Sequence, residues 1–230
     1  MSAGTVRDTL IGLADPEYRD FICRLVPTVP PENILGVRTP ALREVARQLK
    51  GTPDADAFLA QLPHRYYDEY NLHASLISYL RDPGALLKAL DAFLPYVDNW
   101  ATCDMLSPKL FAKRPPELLP AIRRWLTSDE PYTVRFGINM LMGHYLGEGF
   151  DPAHLAWVAA LRSEHYYIRM GAAWYFATAL AKQPEATLTY ITERRLEPWV
   201  HNKSIQKAIE SRRISDEMKA TMRALKVPLK

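Results

Sequence analysis

Tyr132-Thr133-Val134-Arg135-Phe136-Gly137 is answered 34 residues later by Tyr166-Tyr167-Ile168-Arg169-Met170-Gly171. Another 34 residues on, Val200-His201-Asn202-Lys203-Ser204-Ile205 is a weaker third copy, with Lys203 in the place of the arginines. Upstream, Tyr66 and Glu69 precede Tyr132 and Arg135 by 66 residues, close to two such periods. Tyr79-Leu80 and Tyr145-Leu146 keep the same 66-residue offset. A period in the range of about 20 to 50 residues is the signature of a solenoid, in which each unit buries its apolar face only against its neighbours. The position that repeats is a cation. Arg135, Arg169 and Lys203 are expected at equivalent places on successive units, pointing from a right-handed stack of helical hairpins to one concave face. The plainer alternative is three solvated side chains on surface helices; the constant period favours the row.

Helical signals dominate the rest of the chain. Apolar positions at helical spacing run through 41–50, 66–80, 84–94, 117–126, 132–146, 153–161, 166–181 and 204–226. Most of the eighteen prolines fall between these stretches, where each can open a helix or close the one before it. Asp151-Pro152 and Ser163-Glu164 read as helix N-terminal signals. No alternating strand run, Asn-Gly hairpin or glycine-rich phosphate loop interrupts the pattern, and no low-complexity linker divides it. The expected architecture is all-α, a single α-solenoid domain of helical hairpin repeats over residues 1–230.

Composition narrows the function classes. The 230 residues are 48% hydrophobic and 24% charged, which describes a globular chain with a substantial core. No apolar run approaches the roughly 18 residues that span a bilayer, and the N-terminus carries no signal-peptide pattern. Cys23 and Cys103 are too few for a disulfide framework and lack metal-ligand spacing. A cytoplasmic protein with reduced thiols, no cofactor and no membrane partner is expected. Net charge is only +3, yet residues 194–230 hold ten Lys and Arg against four Asp and Glu. That basic C-terminal region points to a polyanion as partner.

The most unusual local sequence is Asp98-Asn99-Trp100-Ala101-Thr102-Cys103-Asp104. Trp100 and Asp104 are four apart and share one helix face, with Asp98 expected to cap that helix and Pro108 to end it. A carboxylate beside an indole suits the stabilisation of a developing positive charge. It equally describes a core tryptophan beside an aspartate that pairs with an arginine. Trp174 follows Arg169 by five residues in Met170-Gly171-Ala172-Ala173-Trp174-Tyr175-Phe176, where the small residues either line a core or let a ligand approach closely. The six histidines show no spacing that suggests a metal site, and Cys103 reads as a small buried thiol rather than a nucleophile.

Taken together, Gly36-Val37-Arg38-Thr39-Pro40, Asn99-Trp100 with Asp104, Ser128-Asp129 followed by Arg135, Ile168-Arg169 with Trp174 and the basic Lys203 region resemble the HEAT-like-repeat alkylpurine DNA glycosylases of the AlkD type. The resemblance extends over most of the chain. It implies a DNA repair enzyme hydrolysing the N-glycosidic bond of cationic alkylated purines in duplex DNA, without rotating the lesion into a pocket. It implies that Trp100 and Trp174 contact the lesion nucleotide, that Asp104 is the catalytic carboxylate, and that Arg135 holds the DNA backbone. Arg169, Lys203 and Lys207 are expected to add phosphate contacts. The expected partner is double-stranded DNA with alkylated bases, bound by a monomer associated with the nucleoid. One departure is local: the tyrosine that this family places in its N-terminal helices has no clean counterpart around Phe21, Cys23 and Pro27. The other reading is a non-catalytic helical-repeat module that binds DNA or a protein. It needs the basic row but gives no role to the carboxylate of Asp104.

Overall fold

Proline opens half of the helices of this protein, and the side chain before it often caps them. The computed structural model describes residues 3–228. In its first part lie α1 (Ala3–Gly12), α2 (Pro16–Leu25), α3 (Thr39–Leu49), α4 (Pro53–Leu59), α5 (Tyr67–Ile77), α6 (Pro83–Phe93) and α7 (Trp100–Met105). In its second part lie α8 (Leu118–Trp125), α9 (Pro131–His144), α10 (Pro152–Ala159), α11 (Tyr166–Lys182), α12 (Pro184–Thr192), α13 (Pro198–Glu210) and α14 (Asp216–Ala224). Among the described residues there is no β-strand, only two isolated bridges, so the fold is all-α, as a stack of helical repeats requires. A fixed φ and a missing N–H suit proline to the first helical position, where that N–H has no intrahelical acceptor. Asp82 and Asp151 just before such prolines accept backbone N–H groups at 2.7 Å, and Thr52 accepts one at 3.3 Å.

The chain forms two compact units, residues 1–118 and 119–230. In the first, Val6 and Leu10 of α1, Leu42 and Leu49 of α3, Phe58 of α4 and Leu72 and Leu76 of α5 form one buried cluster. Each such side chain contributes roughly 2 kcal/mol when fully removed from water. A second layer stacks four rings. Phe58 lies over His64 (4.5 Å between centroids), His73 lies over Phe93 (4.3 Å), and His64 Nε2 meets His73 Nδ1 at 2.8 Å. Burial pulls His64 down to about 4 and His73 down to about 3, the latter helped by its neighbour, so both rings are neutral at pH 7. Their pairing joins residues nine apart across a loop, where no helical spacing advertises it.

The loop between α2 and α3 is held from beneath. Asp68 of α5, 1% exposed, accepts the N–H groups of Leu35 and Val37, both at 2.7 Å. Between them Gly36 has φ +82, and a Cβ there would stand 2.5 Å from the Asp15 carbonyl oxygen. Glu69, the next residue of α5, accepts the N–H groups of Arg65 and Tyr66 and the guanidinium of Arg7 at 2.8 Å. Glu69 stands two periods before Arg135, so the first unit keeps the position and reverses the charge.

In the second unit α11 packs between α9 and α13, the three helices that carry the 34-residue echo. Phe136, Ile138 and Leu141 of α9, Tyr175, Phe176 and Leu180 of α11, and Ile205 and Ala208 of α13 are buried. Tyr145 ends α9 and Tyr79 lies just past α5, which accounts for the 66-residue pair. Two expectations change. The helix expected over 204–226 is two helices, because Ser215 caps a new one at Asp216 by accepting the Met218 N–H at 3.2 Å. The cap of α7 is Asn99, not Asp98. Asp98 instead accepts the Asn99 amide at 2.9 Å.

Candidate nucleic-acid interface

In the first unit the six-residue helix α7 is too short to stand by itself, so its position depends on polar ties. Asn99 accepts the Thr102 N–H at 2.8 Å and donates its amide to the Thr102 hydroxyl at 3.0 Å. That hydroxyl donates to Asn71 of α5 at 2.7 Å. All three side chains are buried, which raises the cost of breaking the network. Trp100 packs against Ile22, Val26, Val29, Ile34 and Tyr67, and its indole N–H donates to the Leu25 carbonyl at 2.9 Å. It is half-buried, a packed anchor that keeps part of its ring open. Asp104, one turn later on the same helix, is also half-buried, so water reaches the carboxylate. Cys103 between them is fully buried.

Beside α7 the first unit has a groove of about 210 Å³, lined by Ala101 and Met105 of α7, Tyr67 and Asn71 of α5, and Tyr18, Phe21 and Leu25 of α2. Tyr18 and Phe21 stack at 6.0 Å, and Arg38 lies over the Tyr18 ring at 5.2 Å. The aromatic wall that had no clean counterpart in the sequence is therefore present, built from Tyr18 and the 46%-exposed Phe21.

In the second unit the repeated cations differ in depth. Arg135 is 4% exposed and donates to the Tyr167 carbonyl at 3.0 Å. Its side chain and Ile138 pack against the bare face of Gly171, so Gly171 serves helix packing and not ligand approach. Arg169 bridges Glu164 and Glu197, each at 3.0 Å, and lies over the Trp199 ring at 4.9 Å. Glu197 is also the cap of α13, accepting the Trp199 and Val200 N–H groups at 3.1 Å. Arg169 thus ties α11 to the start of α13, with two carboxylates already meeting its charge. Lys203 is half-buried and donates to Gln206 at 3.0 Å. Lys207, one turn further on, is half-buried too. Burial first, then the charges of Lys203 and Arg135, hold its pKa below the usual lysine range, against the pull of Glu210. Trp174 is 42% exposed and shares a groove of about 500 Å³ with Lys207.

A period places each residue on its helix but not its depth in the protein, which is why Arg135 and Lys203 look alike in sequence and differ here. The sequence reading missed Lys182 and Arg213, which line the same groove as Trp174. Lys182 lies one helical turn and more beyond Trp174, and Arg213 lies outside any helix. Among the described residues no group of three or more His, Cys, Asp or Glu is placed to hold a metal ion. No helix there is long and apolar enough to cross a membrane. The family model described as DNA alkylation repair enzyme matches residues 6–212. No individual curated protein matches the chain.

Proposed function

Because the chain belongs to the DNA alkylation repair enzyme family, we propose that it is a glycosylase that hydrolyses the N-glycosidic bond of cationic alkylated purines, 3-methyladenine and 7-methylguanine, in duplex DNA. The observation that carries this reading is Asp104: a half-buried carboxylate one turn after Trp100, on a short helix locked in place through Asn99, Thr102 and Asn71. Rigid placement is what an electrostatic catalyst needs, since a charge that must reorganise gives back what it gains.

Alkylation at N3 or N7 makes the purine cationic, so the base leaves without being protonated. Breaking the bond builds positive charge on the sugar, as in the oxocarbenium-like transition states of glycoside hydrolysis. Asp104 stabilises that charge and orients the attacking water. The open part of the Trp100 ring attracts the cationic nucleotide, because an aromatic face carries partial negative charge. In the second unit Lys203 and Lys207 contact phosphates, and Trp174 presents its exposed ring to the DNA. Arg135 and Arg169 support that surface from within, by their bonds to Tyr167 and Glu197. The alternative, a DNA- or protein-binding module without catalysis, uses the same lysines and leaves Asp104 idle. Incubation with methylated genomic DNA, followed by chromatography of the released bases, decides between them. Free 3-methyladenine and 7-methylguanine are expected; DNA binding without release would leave only the module.

A further inference from the structure

Trp174 interrupts one of the most buried stretches of the protein. Ala173 and Tyr175 on either side are fully buried and Phe176 is 1% exposed, yet the Trp174 indole is 42% exposed. It faces the groove of about 500 Å³, whose floor is made by Met142 of α9 and Ala177 and Ala181 of α11. Small side chains there leave room for a flat ring to lie beside the indole. Three cations, Lys182, Lys207 and Arg213, line the same groove against one carboxylate, Glu210, which accepts the Gln206 amide at 2.9 Å. Lys207 is partly desolvated and repelled by Lys203 and Arg135, so a bound anion relieves an unfavourable field. A flat apolar platform bordered by an excess of positive charge matches a ligand that is both aromatic and anionic. In duplex DNA the faces of the bases are covered by their neighbours, and only their edges are open. In a single strand the faces are free to stack on a protein ring.

We propose that this groove is a subsite for an unpaired nucleotide of a DNA strand, its base stacked on Trp174 and its phosphates held by Lys182, Lys207 and Arg213. The proposal rests on DNA as the ligand and goes beyond the excision reading; the nucleotide held need not be the damaged one. A strand opened beside a lesion would be kept from re-pairing by such a contact.

The test is fluorescence anisotropy of a short fluorescein-labelled oligothymidylate and of a hairpin duplex, with the full chain. Trp174→Ala is expected to weaken oligothymidylate binding by roughly 10-fold or more, and duplex binding by less than about 3-fold. Trp174→Phe is expected to restore most of the loss, because a ring remains to stack on. Lys182→Ala with Arg213→Ala is expected to flatten the dependence of log affinity on log salt by about 1.4 for the single strand, near 0.7 per contact. Both residues are exposed, and unchanged thermal melts confirm that the variants fold. Equal losses for single strand and duplex in Trp174→Ala, or no loss for either, overturn the proposal. So does thymidine monophosphate competing as well as the oligomer, which would assign the groove to a free nucleotide. Release of methylated purines is scored separately: its absence beside intact, Trp174-dependent oligothymidylate binding defeats the excision reading and supports the subsite.

Discussion

Replacing Gly36 by Ala puts a single methyl group where three atoms already stand. Its Cβ would lie 2.5 Å from the Asp15 carbonyl oxygen, 2.6 Å from the Arg19 nitrogen and 2.7 Å from Arg19 Cβ. Two of these are backbone atoms, joined by the 2.8 Å bond from the Arg19 N–H to the Asp15 carbonyl in the first turn of α2. Neither can swing aside as a long side chain would. The φ of +82 adds about 1 kcal/mol of strain for a residue with a Cβ. To escape the contact the loop must retreat, and it is held by the two 2.7 Å bonds from Leu35 and Val37 to the buried Asp68. Bonds to a charged acceptor are worth about 1.5 to 3 kcal/mol each, so losing one beside the strain gives roughly 3 to 4 kcal/mol. That is a large share of the stability of an ordinary domain. Urea unfolding followed by far-UV circular dichroism measures it. Gly171→Ala is the control, because a Cβ there meets Arg135 and Ile138 at 3.5 Å, ordinary van der Waals contact, inside a helix that favours Ala by about 1 kcal/mol. A loss below about 1 kcal/mol for Gly36→Ala, or a larger loss for Gly171→Ala, would refute the reasoning.

Acid should weaken the first unit through its histidine pair. His64 and His73 have folded pKa values of about 4 and about 3, below the ordinary 6.5, so the unfolded chain takes up protons first as pH falls. The stability they confer is complete above pH 6.5 and declines toward pH 4, by on the order of 3 kcal/mol for His64 alone. Urea titrations across that range should show the decline in the wild type and a smaller one in His64→Phe/His73→Phe; matching profiles would remove the pair as the cause. In DNA binding, Lys203→Ala with Lys207→Ala should reduce the slope of log affinity against log salt by roughly 2, one unit per lost phosphate contact, as measured by salt-titrated anisotropy. An unchanged slope would mean that α13 does not face DNA.

The fold was legible because the echo falls on neighbours: α9, α11 and α13 pack side by side, and a shared position along successive helices survives as a fixed spacing. Prolines at Pro83, Pro131, Pro152, Pro184 and Pro198 marked helix starts for the simple reason that no other position in a helix suits them. Partnerships between elements were not legible. Asn71 meets Thr102 from 31 residues away and Glu197 meets Arg169 from 28, distances that only the packing of helices sets. The break before α14 did carry a signal that went unread, Ser215 followed by Asp216 and Glu217, an N-cap with acidic residues in the first turn. The burial of Arg135 carried none, since Arg at a repeated place reads the same whether it faces water or the next helix.

The most direct test of excision by a fixed carboxylate is single-turnover release of 7-methylguanine from duplex DNA by the wild type and by Asp104→Asn, with binding measured in parallel. Asn keeps the shape and much of the hydrogen-bonding reach and removes the charge. A contribution of about 3 kcal/mol, the scale of one preorganised electrostatic contact, slows release by roughly 100-fold. DNA affinity should hold or rise slightly, because the variant no longer repels phosphates. Neutral lesions such as uracil should stay in place for both proteins, since the account gives the leaving base no proton donor. Equal rates for the two forms would contradict it.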